Sequence, residues 1–225
     1  MPDRAAFYID GFNLYHAVDD LGQPHLKWLD LWALSERLID PENEELVRVT
    51  WCTATLSDDV QKMLRHRAYK KAVQSVGVIP VMGHFVNEEM ECRACEATWL
   101  KPTEKQGDVN LAIHLIGDAH QNHYDVAYLV TADSDQAATA KKFRTDFPGK
   151  RIISVAPPNR QHSKHIINYA HASKAISMAD LENSIFPKTV MLDGNLICER
   201  PERYGPPEGW KNPRTPKISL VPKKS

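Results

Sequence analysis

Residues 5–16 read AAFYIDGFNLYH, and this stretch decides the fold. Five apolar residues, Ala5 to Ile9, run without a polar break, as in a strand buried on both faces of a parallel sheet. The run stops at Asp10, Gly11 permits a turn, and Asn13 begins the next element. A buried strand that ends on an acid delivers it to the carboxyl edge of the sheet, where open α/β folds gather their ligands.

Outward from this strand, short apolar runs alternate with stretches of helical period. Strands are expected at Ala5 to Ile9, Leu46 to Cys52, Val76 to Met82, Val126 to Thr131 and Arg151 to Ala156. Helices are expected at Trp28 to Ile39, Asp58 to Ser75, Asp108 to Asn122, Gln136 to Phe147 and His162 to Ala170. In the third helix, Val109, Ala112, Ile113, Ile116 and Ala119 form one apolar stripe expected to face the sheet. The class implied is α/β, an open parallel sheet with helices on both faces. His84 to Gln106 breaks the alternation and reads as a polar surface loop inserted at the carboxyl ends of the strands. The domain therefore spans residues 1–187 with an insertion at 84–106. Residues 188–225 form a separate arm: seven of the fifteen prolines fall between Pro187 and Pro222, so packed helix or inner strand is not expected there, and the arm should lose regular structure after about Pro206.

Hydrophobic residues make up 42% of the 225 and charged residues 25%, the balance of a soluble globular chain. No apolar run reaches membrane-spanning length, and Asp3 and Arg4 before a five-residue apolar run do not resemble a secretory signal. A cytoplasmic location without membrane contact is expected. Four cysteines are too few for a disulfide framework at this length. The net charge of -1 is uneven, with the chain from residue 187 onward at +4 and residues 1–186 at -5. An acidic core with a basic tail is compatible with a nucleic-acid partner, although solvated tails are often charged for no further reason.

The construction at Asp10 recurs in VAYLVTADSDQ, where a strand ending near Thr131 runs into Asp133, Ser134 and Asp135. In EKQGDVNLAIHL, Gly107 places Asp108 in the first turn of a helix. An aspartate at a helix start is commonly a cap, which would explain Asp108 or Asp135 taken alone. Caps do not require several acids on one sheet edge, and clustered carboxylates repel unless protonated or neutralised. Mg²⁺ or Mn²⁺ is the usual neutraliser, and the chemistry it supports there is hydrolysis of a phosphate ester.

In order and spacing, FYIDGFNLYH, EKQGDVNLAIHLIGDA and YLVTADSDQ resemble the three signature blocks of NYN domains, the LabA-like branch of the PIN-like nuclease superfamily. The resemblance implies a Rossmann-like sheet of order 3-2-1-4-5 and a metal-dependent ribonuclease acting on RNA. It makes Asp10, Asp108, Asp133 and Asp135 the metal-binding and catalytic positions and Asn13 their polar companion. Ser134 and Lys105 join Asn13 as candidate substrate contacts. Two positions depart from the pattern: Ala132 stands where the family has glycine, and Gln136 where it has an aromatic or aliphatic residue.

Cys92-Arg-Ala-Cys95 has the spacing of half a structural zinc site. His84, Cys198 or a second subunit of a homo-oligomer would be needed to complete it, and two free thiols are the alternative. The segment QKMLRHRAYKK, residues 61–71, is a basic helix in which Tyr69 would offer a stacking face to nucleic acid, or else an ordinary solvated face. Trp28, Trp32 and Tyr15 read as packing residues. Two further functional classes remain open: a catalytically weak nucleic-acid-binding or scaffold protein on the same fold, and a phosphatase of the haloacid-dehalogenase type. The phosphatase is disfavoured, because Phe12 stands where its second aspartate belongs. No dinucleotide-binding glycine motif follows the first strand.

Overall fold

A computed structural model describes residues 1–55 and 59–214 of the chain. In chain order the elements are β1 (Asp3–Asp10), α1 (Gly11–Asp19), α2 (Leu31–Leu38), β2 (Glu44–Thr53), α3 (Val60–Ser75), β3 (Ile79–Met82), β4 (His84–Glu91), β5 (Thr98–Lys105), α4 (Gly107–His120), β6 (Val126–Val130), α5 (Ala137–Asp146), β7 (Arg151–Ala156), α6 (Lys164–Ile167), β8 (Ala172–Ala175), α7 (Met178–Glu182), β9 (Thr189–Leu192) and β10 (Asn195–Glu199). Six strands form one parallel sheet in the order β3-β2-β1-β6-β7-β8. This is the expected 3-2-1-4-5 arrangement, with β4 and β5 inserted outside it and β8 added at the far edge. β8 reads ASKA, too short and too polar to register as a strand in the sequence.

β1 is central because both its faces are apolar. Ala5, Phe7 and Ile9 join the core cluster that holds Leu14, Trp28, Leu34 and Val73, from the side of α1, α2 and α3. Ala6 and Tyr8 point the opposite way, into the cluster of Leu111, Leu115, Phe143 and Ile166 from α4, α5 and α6. Successive strand residues face opposite sides, so one apolar run glues two helical layers. In α4 the buried apolar residues are Leu111, Leu115 and Ala119, while Val109 is 58% and Ile113 61% exposed. The expected stripe is corrected in part: Ala119 is buried and Ile116 packs against the same cluster, but Leu111 and Leu115, which fill more volume, meet the sheet in place of Val109 and Ile113. Trp28 is fully buried as expected, but Tyr15 is 44% exposed.

Two segments fold more than the sequence suggests. The insertion is an antiparallel hairpin of β4 and β5, registered from His84 opposite Lys105 to Glu91 opposite Thr98. The arm is likewise not free up to residue 214. Asp193 and Gly194, both at positive φ, make the two-residue turn between β9 and β10, and Val190 is buried in the core. Tyr204 and Trp210 pack against that same cluster, Trp210 Nε1 donates to Glu182 at 2.8 Å, and Arg214 pairs with the buried Asp30 that caps α2. Prolines prevented regular structure between these anchors without preventing packing. The expected loss of structure beyond Pro206 is met only in that no helix or strand is formed over 206–214; the remainder of the arm, and the expected helix start at Asp58, lie outside the described residues.

Gly11 marks the tightest approach at the carboxyl edge. A Cβ there would lie 2.4 Å from the Cys52 carbonyl oxygen and 2.5 Å from Trp51 Nε1. Because backbone cannot yield as a flexible side chain can, Gly11→Ala is expected to destabilise the fold by at least about 1–3 kcal/mol, read as a lowered midpoint in urea unfolding.

Candidate active site

Three strand ends and one hairpin build a cleft of about 390 Å³ at the carboxyl edge. Its walls are Asp10, Asn13, Asp108 and Asp133, together with Phe12, His16, Glu104 and Arg160. β1 ends at Asp10, and the parallel register sets it beside Cys52 of β2. One oxygen, Oδ1, accepts the Asn13 amide at 3.0 Å and so caps α1. The other, Oδ2, accepts the Thr131 hydroxyl at 2.9 Å across the β1–β6 seam. Thr131 Oγ1 in turn accepts the Asp133 amide at 3.1 Å, and Asn13 Oδ1 accepts the Ala132 amide at 3.0 Å. The loop after β6 is thereby tied twice to the start of α1.

Asp108 is held differently. Gln136 Nε2 donates to its backbone oxygen at 3.1 Å and to Oδ1 at 3.2 Å, while Gln136 Oε1 accepts the Thr139 hydroxyl at 2.8 Å. Gln136 is buried, so the residue that departs from the family pattern serves as the clamp on Asp108. The capping question resolves in an unexpected way. Asp10 and Asp133 are caps as well as cleft residues, whereas the Asp108 carboxylate is bound by a side chain.

The remaining candidates lie apart. Ser134 and Asp135 are exposed in the short 3-10 turn after Asp133, and Asp135 contributes its amide to Asp133 Oδ1 at 3.0 Å. Lys105 turns its ammonium to Glu88, 2.6 Å away, outside the cleft walls. Tyr69 does not offer a stacking face: its hydroxyl donates to Leu29 O at 2.8 Å, and its ring packs edge-on against Trp51. His66 also turns inward between Thr53 and Thr55, and burial pushes its pKa down to about 4.

Phe12, His16, Glu104 and Arg160 are the cleft residues that sequence reasoning missed. Glu104 sits near the end of β5 and accepts the Gly107 amide at 2.9 Å, at the positive end of the α4 dipole. Arg160, in the turn beyond β7, is anchored by Asp20 and brings a cation to an otherwise acidic wall. Burial holds the Asp10 carboxyl above its ordinary range, and the charges of Asp108 and Asp133 add to that, against the bonds from Asn13 and Thr131. Glu104 is raised for the same reasons, burial first and then Asp108 and Asp10. The neighbouring Cys52 thiol is pushed up to about 12 by burial and the surrounding carboxylates.

The family model of the NYN domain matches residues 4–178. This chain belongs to the NYN domain family. Its fold is the nuclease-like one of that family. Among known proteins, this NYN chain is 28% identical to 6-hydroxy-3-succinoylpyridine 3-monooxygenase HspA of Pseudomonas putida, over 92% of this chain and 77% of that one. A solved structure of a protein of unknown function from Vibrio parahaemolyticus shares the fold at a TM-score of 0.50 and 18% identity, covering 78% of this chain and 93% of that one.

Among the described residues, no three carboxylate, imidazole or thiolate side chains are grouped so as to hold a metal ion directly. The cleft acids share one wall without converging on a point. Their oxygen-only chemistry fits a hydrated Mg²⁺ or Mn²⁺, which needs one or two carboxylates and keeps its waters, and does not fit a fully caged ion. A larger hollow of about 1130 Å³ lies at the opposite edge, but its most buried acid, Glu44, is already bonded to Tyr128 and Arg151. Among the described residues no helix is long and apolar enough to cross a membrane.

A raised native pKa means that folded Asp10 holds its proton more tightly than the unfolded chain does. Its contribution to stability is present below the unfolded value near 3.8 and is lost as pH rises through the native value. In metal-free protein at pH 7.5, Asp10→Asn should therefore melt higher than wild type, since Asn keeps the α1 cap and can donate to Thr131 Oγ1. The gap should close at pH 3.5, which thermal melts at the two values test.

Proposed function

We propose that this protein is a Mg²⁺- or Mn²⁺-dependent endoribonuclease that hydrolyses RNA phosphodiesters in the cleft at the carboxyl edge. The observation that carries this reading is the concentration of Asp10, Asp108, Asp133 and Glu104 in one cleft of a nuclease-like fold, with two of them held above their ordinary pKa by burial and by one another. Such a set is costly to the fold and is neutralised by a hard cation. When bound by Asp10, Asp108 and Asp133, directly or through water, that cation supplies charge neutralisation at the phosphate and a more acidic water.

The protein's own groups do the rest. Thr131 and Gln136 hold Asp10 and Asp108 in fixed orientations before substrate arrives, which spares reorganisation during reaction. Arg160 offers a fork of donors to phosphate oxygens, and Phe12, edge-on to Phe85 at 5.7 Å, gives an apolar wall on which a base can rest. Glu104 accepts the proton of the attacking water, a task suited to a carboxylate whose raised pKa makes it a stronger base. Water forms the new P–O bond, the bond to the leaving ribose oxygen breaks, and that oxygen takes up a proton from solvent as Glu104 later returns its own.

A second reading comes from the relative's name. The same cleft presents Phe12, His16 and Arg160, groups able to hold a flat heteroaromatic acid, which would make the chain an oxygenase of a substituted pyridine. The two readings part in one experiment. Purified protein is incubated with single-stranded and structured RNA in Mg²⁺, Mn²⁺ or EDTA, and separately with 6-hydroxy-3-succinoylpyridine, oxygen and a two-electron donor. Metal-dependent RNA cleavage is expected, reduced at least about 100-fold, or ~2.7 kcal/mol of barrier, in Asp10→Asn and Asp133→Asn. Asp135→Asn, exposed outside the cleft, should stay within about threefold of wild type. A hydroxylated pyridine product without RNA cleavage replaces the first reading with the second.

A further inference from the structure

The β4–β5 hairpin is an anomaly in this fold. Its strands pair only with each other, and neither core cluster contains a residue from it. An isolated two-stranded hairpin is marginal in water, so another interaction must hold the far end. At that end the chain turns through Cys92-Arg93-Ala94-Cys95-Glu96. The Cys92 amide donates to Ala97 O at 2.9 Å, and the Glu96 amide donates back to Cys92 O at 2.8 Å. Glu96 takes positive φ to close the loop. The turn is wound tightly enough for the amides of Ala94 and Cys95 and the Cys95 thiol to face the Cys92 sulfur. Amides aimed at a sulfur in a C-x-x-C turn stabilise thiolate, the form that binds metal.

Two thiolates make half of a structural zinc site. Among the described residues no third cysteine, histidine or carboxylate is placed to join them. Cys52 is buried beneath the cleft, Cys198 packs against the core from β10, and His84 stands at the opposite end of the hairpin, opposite Lys105, roughly 25 Å away along β4. Residues 56–58 and 215–225 contain neither cysteine nor histidine. Beside the turn, Trp99 is 48% and Leu100 65% exposed. Consecutive on β5, they project to the two faces of the hairpin, so apolar surface flanks the tip on both sides.

We propose that two copies of this chain join through their hairpin tips around one shared zinc ion, ligated by Cys92 and Cys95 of each. A twofold axis through the metal supplies the missing pair, since an isologous contact brings the same two ligands from each copy. The site rests on the hairpin alone and is independent of the reaction proposed for the cleft.

The test uses the full chain purified from zinc-supplemented growth. Elemental analysis should give about one zinc per two chains, and light scattering should give a dimer that becomes monomer on chelation. Replacement of zinc by Co²⁺ should produce the thiolate-to-cobalt charge-transfer absorption and the d–d bands of a four-sulfur tetrahedral site. C92S/C95S should lose the metal and the dimer together while keeping the wild-type far-ultraviolet circular dichroism, and Cys198→Ser should keep both. Should the double variant misfold, the cobalt spectrum and stoichiometry of the wild-type chain still decide. One zinc per monomer, a dimer that persists in the folded double variant, a cobalt spectrum with fewer than four sulfurs, or a Cys92–Cys95 disulfide in protein that takes up no zinc would each overturn the proposal.

Discussion

The Thr131 hydroxyl donates to Asp10 Oδ2 and accepts the Asp133 amide, and on this one group the geometry of the cleft depends. It bridges the ends of the two innermost strands of the sheet. A hydroxyl can do this because it donates once while keeping lone pairs to accept. Through it, the position of one acid is transmitted to the backbone that carries the next. Asn13 repeats the connection a few ångströms along by accepting the Ala132 amide. The carboxylates are therefore placed by the sheet and not by loops free to wander, which is where a preorganised site belongs.

The same arrangement works against the fold. Asp10 is largely desolvated and lies near two further acids, and Glu104 shares its situation. Nothing in the packing requires these charges, because the helix starts could be capped by neutral serine or asparagine. Local rules broken without local compensation are expected at functional positions. The compensation here comes from two sides. Backbone amides and the Thr131 hydroxyl favour the ionised forms, and Arg160, steadied by Asp20, contributes the one cation among the residues that line the cleft.

The sheet and three of its acids were legible in the sequence because they rest on strong signals. β1 and β6 carry continuous apolar runs, and Asp10 and Asp133 come just after those runs stop. What escaped lacks such a signal. Glu104 is on a strand whose neighbours are mostly exposed, so β5 alternates too weakly to separate the hairpin from a loop. Arg160 follows Pro157 and Pro158 in irregular chain, where no period says which way a side chain turns. In α4 the apolar residues were visible but not the choice between its two apolar faces, which Leu111 and Leu115 settle by packing on the sheet. The turn at Asp193-Gly194 was the exception: the dipeptide is a strong hairpin signal, and the density of prolines around it drew the reading toward an arm instead.

That last misreading has a consequence for what counts as the domain. The family pattern ends at residue 178, yet Leu181, Ile185, Phe186 and Val190 all belong to the core cluster beneath β1. Trp28 Nε1 donates to Pro187 O at 2.9 Å, and Arg214 neutralises Asp30 at the head of α2. The stretch that the family model covers is thus shorter than the unit that folds. A fragment cut where the family resemblance stops would bare an apolar floor under α2 and leave Asp30 buried without its counter-charge.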